Sequence, residues 1–413
     1  RESWIPSFVD RIDRMVLRDR NHPSVVMWSL GNEAGDGPNF EKGYAAIKAM
    51  DTSRPVQYER AVLNDHTDIY CPMYLGYAGV ERYMASNPDK PLIQCEYAHA
   101  MGNSMGGLKE YMDLVRKYPK YQGGFIWDFV DQAIRWPSDA QKYGTDHIFA
   151  YGGDFNDFDP SDNSFCSNGI IAADRSYHPH SYEVAYQYRS ILTSATPEQL
   201  KAGKVEVYNE NFFVDLSAYM MQWTMVVDGH PVATGVVPEL NVAPQQKSVI
   251  DLGYKLAFDV NEYAGHDIYL NVEYTLKSAT ALLPAGYKVA YDQLAINIAD
   301  VPAFDAPEGG SIQMLQQGNI YTFSGVLTFE GSSHDRVAPW EARFDSSNGA
   351  LVSYMLGAKQ LVAEPLMPCF GRAMTENDLG AKLERKLQMW LYPEFKVASF
   401  EASAGESAAR VEV

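Results

Sequence analysis

Cysteine is scarce and its spacing is unpaired: Cys71, Cys95, Cys166 and Cys369 are the only four in 413 residues, and no Cys-x-x-Cys occurs. This argues against a disulfide framework and a cysteine-based zinc site, and leaves four buried thiols as the expectation. No apolar run reaches the roughly 18 residues that a membrane-crossing helix requires. Positive charge is also in deficit. Thirty-four Lys and Arg stand against 53 Asp and Glu, and the resulting net charge of −19 is spread along the whole chain. Nucleic acid and anionic membrane are therefore poor partners, and a neutral or cationic ligand is a better one. The first residues, Arg1-Glu2-Ser3-Trp4, carry neither an initiating methionine nor a signal-peptide pattern, and read as the interior of something longer.

What the chain does have is length and aromatic side chains. At 413 residues it is too long for one core and should divide into two or three domains. Aromatic residues make up 13% of it, 27 of them Tyr and 7 Trp. Flat amphipathic rings suit carbohydrate faces, and they suit ordinary core packing equally well.

Two stretches carry the chemistry. Leu92–Cys95 is a short apolar run of buried-strand type that runs into Glu96, and Ser24–Leu30 is another that stops at Gly31-Asn32-Glu33. A carboxylate ending a buried strand is costly unless something uses its charge. Around these runs lie amphipathic helical stretches, Ser7–Asp19, Phe40–Met50, Val80–Ala85 and one carrying Leu108, Tyr111, Met112 and Val115. Further strands are expected at Val56–Tyr58, which ends at Glu59, near Ile69–Tyr74, and at Gly124–Trp127. The alternation predicts parallel strands with helical crossovers, about five of them against the eight that close a (β/α)₈ barrel. Residues 1–190 are thus expected to be the later part of such a barrel, with a loop-rich stretch from Asp128 to Asp174.

Beyond about Leu192 the period changes to short alternating runs: Val205–Tyr208, Ala218–Val227, Val232–Val236, Val249–Leu252 and Ile268–Leu276, with Asp228-Gly229 as a turn. Residues 191–298 read as an immunoglobulin-like β-sandwich. A linker at Ala299–Ser311 leads to residues 299–413, the start of a larger β-sandwich. Its expected strands are Tyr321–Phe323, Val326–Phe329, Glu341–Phe344 and Leu351–Met355, with Asn348-Gly349 as a hairpin turn. The fold class is α/β plus all-β.

Two strand-terminal glutamates on a barrel are what retaining glycoside hydrolysis needs, one as nucleophile and one as acid and then base, roughly 5–5.5 Å apart. Singly, Glu33 is equally an N-cap or a solvated acid, and Glu96 an ion-pair partner. The local strings decide between these readings. Ser29-Leu30-Gly31-Asn32-Glu33, Cys95-Glu96-Tyr97-Ala98-His99-Ala100-Met101-Gly102-Asn103-Ser104 and Gly123-Gly124-Phe125-Ile126-Trp127-Asp128-Phe129-Val130-Asp131-Gln132 closely resemble the large β-galactosidases of glycoside hydrolase family 2. So do Arg18–Val25, Tyr151–Asp174 and His178-Pro179.

The resemblance implies that Glu33 is the general acid/base and Glu96 the nucleophile in cleavage of a terminal β-galactoside. Asn32 would bond the sugar 2-hydroxyl, Tyr74 the nucleophile and His99 a sugar hydroxyl, while Trp127 would form the floor under the galactose. Without the resemblance, Tyr74, His99 and Trp127 read equally as structural residues. It further implies Mg²⁺ with Glu33 as one ligand and Na⁺ at the Phe165 carbonyl and Asn168, both sites short of ligands in this chain, and a homo-oligomer at full length. Arg372–Asp378 resembles a motif of the family's last β domain, with Met374 and Glu376 departing from the usual Pro and Asp; a structural turn accounts for it as well. Another family 2 specificity, such as glucuronidase or mannosidase, and an inactive carbohydrate-binding or structural module are the alternatives.

Overall fold

An apolar stripe organises the first helix. In α1 (Ile5–Asp19) the residues Ile12 and Val16 are buried, with Phe8 and Met15 packed beside them, against Trp28, Leu30, Phe40 of α2 (Pro38–Met50), Val56 and Tyr58. The computed structural model describes residues 1–158, 164–254, 265–300, 311–329, 336–406 and 408–413. They form two units, Arg1–Ala299 and Asp300–Val413. The sequence linker at Ala299–Ser311 lies mostly outside the described residues, as does part of the loop stretch after Asp128.

Parallel strands follow α1 in chain order. β1 (Trp28–Ser29) pairs in parallel with β2 (Val56–Gln57), and β3 (Leu92–Tyr97) with β4 (Tyr121–Ile126). Between the two pairs, Tyr70 and Met73 make parallel bridges to Leu92 and Glu96. Helices α3 (Tyr77–Ala85) and α4 (Leu108–Lys117) are the crossovers. These are the five parallel segments expected, with altered limits. Only Trp28 and Ser29 of the Ser24–Leu30 run are strand, because Arg54 Nε donates to the Val25 carbonyl at 2.7 Å, and that carbonyl faces a guanidinium instead of a neighbouring strand. Arg54 is itself held by Asp51 at 2.7 Å, whose other donors are Ser53 and Trp28 Nε1. Hydrogen bonds from Ser53, Arg54 and Trp28 hold the Asp51 carboxyl well below the usual range. β3 runs two residues further than expected, through Glu96 to Tyr97, because the Tyr74 N–H donates to the Glu96 carbonyl at 2.8 Å and the Trp127 N–H to the Tyr97 carbonyl at 3.2 Å. The stretch read as loops after Asp128 contains a hairpin, β5 (Ile134–Pro137) with β6 (His147–Ala150).

The described residues between 191 and 297 form two antiparallel sheets. One is β7 (Ile191–Ser194), β8 (Lys204–Asn209) and β11 (Lys247–Asp251); the other is β9 (Tyr219–Val227), β10 (His230–Val237), β12 (Ile268–Leu276) and β13 (Lys288–Asn297). They share one core, in which Val205 and Val207 meet Met221, Trp223, Leu270 and Val272. Asp228 and Gly229, at φ +46° and +82°, make the two-residue turn between β9 and β10 that the Asp-Gly pair foretells. β7 and β13 were not foreseen; β13 alternates buried and exposed positions only in its first half. Trp223 is buried with its Nε1 donating to the Leu252 carbonyl at 3.0 Å, so it joins the two sheets. Replacing it by Ala should destabilise this region by about 3–5 kcal/mol, seen as faster amide hydrogen exchange in β9 and β12 of the intact protein.

The second unit is a meander of β14 (Gln313–Gln317), β15 (Ile320–Phe329), β16 (Arg336–Asp345), β17 (Ala350–Leu356) and β18 (Lys359–Gln360), with a separate hairpin of β19 (Glu401–Ala404) and β20 (Ala409–Glu412). β15 is one strand where two were expected. Gly325 sits opposite Trp340 across the β15–β16 pair, and a Cβ there would lie 2.8 Å from the indole nitrogen, so the glycine makes room for a ring and does not break the strand. Asn348-Gly349 makes the turn between β16 and β17, Asn348 accepting from the Ala350 N–H. In the Arg372–Asp378 motif two guanidinium nitrogens of Arg372 bond Asp378, whose carboxylate also accepts the Thr375 N–H, closing a capping box at the start of the short helix Glu376–Gly380. All four cysteines are free, but only Cys71 is buried; Cys95 and Cys166 are half-buried and Cys369 is exposed, contrary to the expectation of burial for each.

Candidate active site

Parallel strands put all their carboxyl ends on one edge. The residues at those ends are Glu33 after β1, Glu59 after β2, Tyr74 after the bridging segment, Glu96 near the end of β3 and Trp127 after β4. Three backbones at this edge are left-handed although none is glycine: Glu33 at φ +49°, Tyr74 at +50° and Ala98 at +46°. Each such residue costs on the order of 1–3 kcal/mol and persists only where its surroundings hold it. Strained backbones of this kind gather at functional sites, which makes this edge the candidate site.

The Tyr74 hydroxyl donates to Glu96 Oε2 at 2.7 Å. Burial first, then the hydrogen bond and charge of Glu96, raise the tyrosine well above its ordinary value, so it stays protonated and donates. The Tyr74 ring lies 5.6 Å from His99, whose Nε2 meets Asn168 Oδ1 at 2.9 Å. The Asn168 carbonyl accepts the Asp128 N–H at 2.8 Å, and the Trp127 carbonyl accepts that of Ala100 at 2.9 Å. Tyr74, His99, Glu96, Trp127 and Asn168 are thus one connected group. Asn32 precedes Glu33 in the exposed turn. Phe165 enters through its carbonyl, which accepts from Asn168 Nδ2.

Several residues of the site were not singled out from the sequence. Glu59 accepts the Glu33 N–H at 2.8 Å, and Arg60 reaches Glu33 Oε1 at 3.3 Å. Asp131 accepts from the Gly169 N–H at 2.8 Å and bonds His178 at 2.7 Å, fixing the segment that bears Asn168. Burial lifts the neighbouring Asp128 carboxyl above its usual range. Glu59 could have been found by the signal that picked out Glu33 and Glu96, since it too ends an apolar run.

The ion ligands drawn from the resemblance do not form cages from these residues. Among the described residues no group of three or more His, Cys, Asp or Glu could hold a metal. Glu33 Oε1 already faces the Arg60 guanidinium, the Phe165 carbonyl is taken by Asn168, and Asn168 Oδ1 by His99.

A family model described as glycosyl hydrolases family 2, TIM barrel domain, matches residues 1–193, and one described as beta-galactosidase, domain 4, matches residues 205–297. A curated beta-galactosidase of Priestia megaterium is 38% identical over 393 residues, covering 94% of this chain and 36% of that protein. Among solved structures, two of an exo-chitosanase of Amycolatopsis orientalis are each 12% identical, one of them in complex with PNP-beta-D-glucosamine. The matches cover 84% of this chain and 46% and 53% of those chains, with TM-scores of 0.30 and 0.29. The chain spans about a third of the curated relative's length, and within that span a barrel domain is followed by a β domain. On the two adjoining domain matches and the identity that runs through both, this chain belongs to glycosyl hydrolase family 2.

Proposed function

We propose that the chain carries the two catalytic carboxylates of a retaining β-galactosidase. The observation that carries this reading is the Tyr74 hydroxyl, bonded to Glu96 at 2.7 Å on the edge of parallel strands whose ends also bear Glu33. A Glu96 oxygen attacks the anomeric carbon as the bond from that carbon to the leaving oxygen breaks, and the proton of Glu33 passes to the leaving oxygen. Water then gives a proton to Glu33 and its oxygen to the anomeric carbon, and the bond to Glu96 breaks. Tyr74 holds the freed Glu96 carboxylate in place for the next cycle. Asn32 and His99 bond sugar hydroxyls and Trp127 lies beneath the ring, in keeping with the domain match and the relative's name.

The same reading divides the chain into the later part of a (β/α)₈ barrel at 1–190, an immunoglobulin-like sandwich at 191–298 and the start of a larger sandwich at 299–413. The seven strands in two sheets among the described residues between 191 and 297 support the middle assignment. The test is a panel of nitrophenyl glycosides given to the intact protein. The β-galactoside is expected to exceed the glucuronide and mannoside in kcat/KM by at least about 10²-fold. Preference for either of the others would overturn the substrate.

A further inference from the structure

Glu59 is a carboxylate that the two-step reaction does not use. It follows Val56-Gln57-Tyr58 and opens the short turn Glu59–Ala61, with its side chain 6% exposed. One oxygen, Oε1, accepts the backbone N–H of Glu33 at 2.8 Å and pairs with Nε of Arg60 at 3.0 Å, while another nitrogen of Arg60 reaches Glu33 Oε1 at 3.3 Å. Glu33 stands in the left-handed region on a side chain 54% exposed, so little besides this bond fixes its peptide plane. The direction in which its side chain leaves the backbone follows from that plane.

We propose that Glu59 is a positioning residue for the acid/base. Its buried oxygen locks the Glu33 peptide and anchors Arg60, so that the carboxyl group of Glu33 leaves the backbone in one fixed direction, with one oxygen 3.3 Å from the guanidinium. This rests on the reading of Glu33 as the acid/base. A misplaced acid harms only those reactions that need the leaving group protonated. A loss of folding, by contrast, harms all of them.

The test uses the intact protein and two β-galactosides, one with a 2,4-dinitrophenyl leaving group that departs unprotonated and one with an alkyl leaving group that does not. Glu59→Ala is expected to lower kcat/KM for the alkyl substrate about 100-fold and for the dinitrophenyl substrate less than about threefold. Glu59→Gln keeps an oxygen for the Glu33 N–H and should recover at least about tenfold of that loss. Should Glu59→Ala not fold, Glu59→Asp, which draws the acceptor back, must show the same split at about tenfold. Equal losses on both substrates, or no loss, overturn the positioning role. Glu33→Ala measured alongside separates the failures. If it splits the substrates and Glu59→Ala does not, only the role of Glu59 falls; if it does not split them, the acid/base reading falls and this proposal with it.

Discussion

Replacing Glu96 by Gln should reduce hydrolysis of a nitrophenyl β-galactoside by about 10⁴-fold or more while leaving the unfolding temperature within a few degrees of wild type. The amide has the shape of the carboxylate, and its oxygen can still accept from the Tyr74 hydroxyl, so the packing around β3 has no reason to change. What it lacks is a nucleophilic oxygen bearing charge, and without one no glycosyl ester forms. The loss should fall on kcat, because Glu96 bonds the sugar covalently and adds little to ground-state binding. A 2-deoxy-2-fluoro-galactoside with a good leaving group should label the wild type on the peptide containing Glu96 and leave the variant unlabelled. Label on Glu33 or Glu59 would exchange the roles given to these acids; turnover near wild type would remove Glu96 from the chemistry.

The reason Glu96 was legible in the sequence is local. Leu92–Cys95 is apolar, the strand it forms is sandwiched between Tyr70–Met73 and β4, and a charge at its end has few structural uses. The same logic reached Glu33 through Trp28, although most of the run before it is not strand. What could not be read was whatever depends on contacts across the barrel edge. Arg54 reaches back to Val25 over 29 positions, Glu59 to Glu33 over 26, and Asp131 to His178 over 47. None of these leaves a mark in periodicity. Left-handed backbones at Glu33, Tyr74 and Ala98 were equally hidden, since a non-glycine residue carries no signal for such a conformation. In the β segments, Asp228-Gly229 and Asn348-Gly349 announced their turns through residue chemistry, whereas Ser324-Gly325 imitated a break and proved to be the seat of the Trp340 ring.

Removing the acid/base altogether yields the second large effect, and its pattern is more informative than its size. Glu33→Ala should lower kcat/KM for an alkyl β-galactoside by about 10³–10⁴-fold, the range general acid catalysis supplies, and by far less for a dinitrophenyl one. With the dinitrophenyl substrate the first step survives and the second does not, since no base remains to take the proton of water, so the glycosyl ester on Glu96 accumulates. Azide needs no base. Because the side chain at position 33 is more than half exposed, its removal opens a space that a small anion can enter from solvent. Added azide should therefore restore turnover of the variant and leave the wild type unaffected. The product should be a galactosyl azide of β configuration, because two successive inversions occur at one carbon. An α product would mean that azide attacked directly with a single inversion, and that Glu96 forms no intermediate. Arg60 sharpens the test: freed of Glu33 in this variant, it places a positive charge beside the vacated position and should lower the azide concentration needed for rescue, an advantage that Arg60→Ala in the same background would remove.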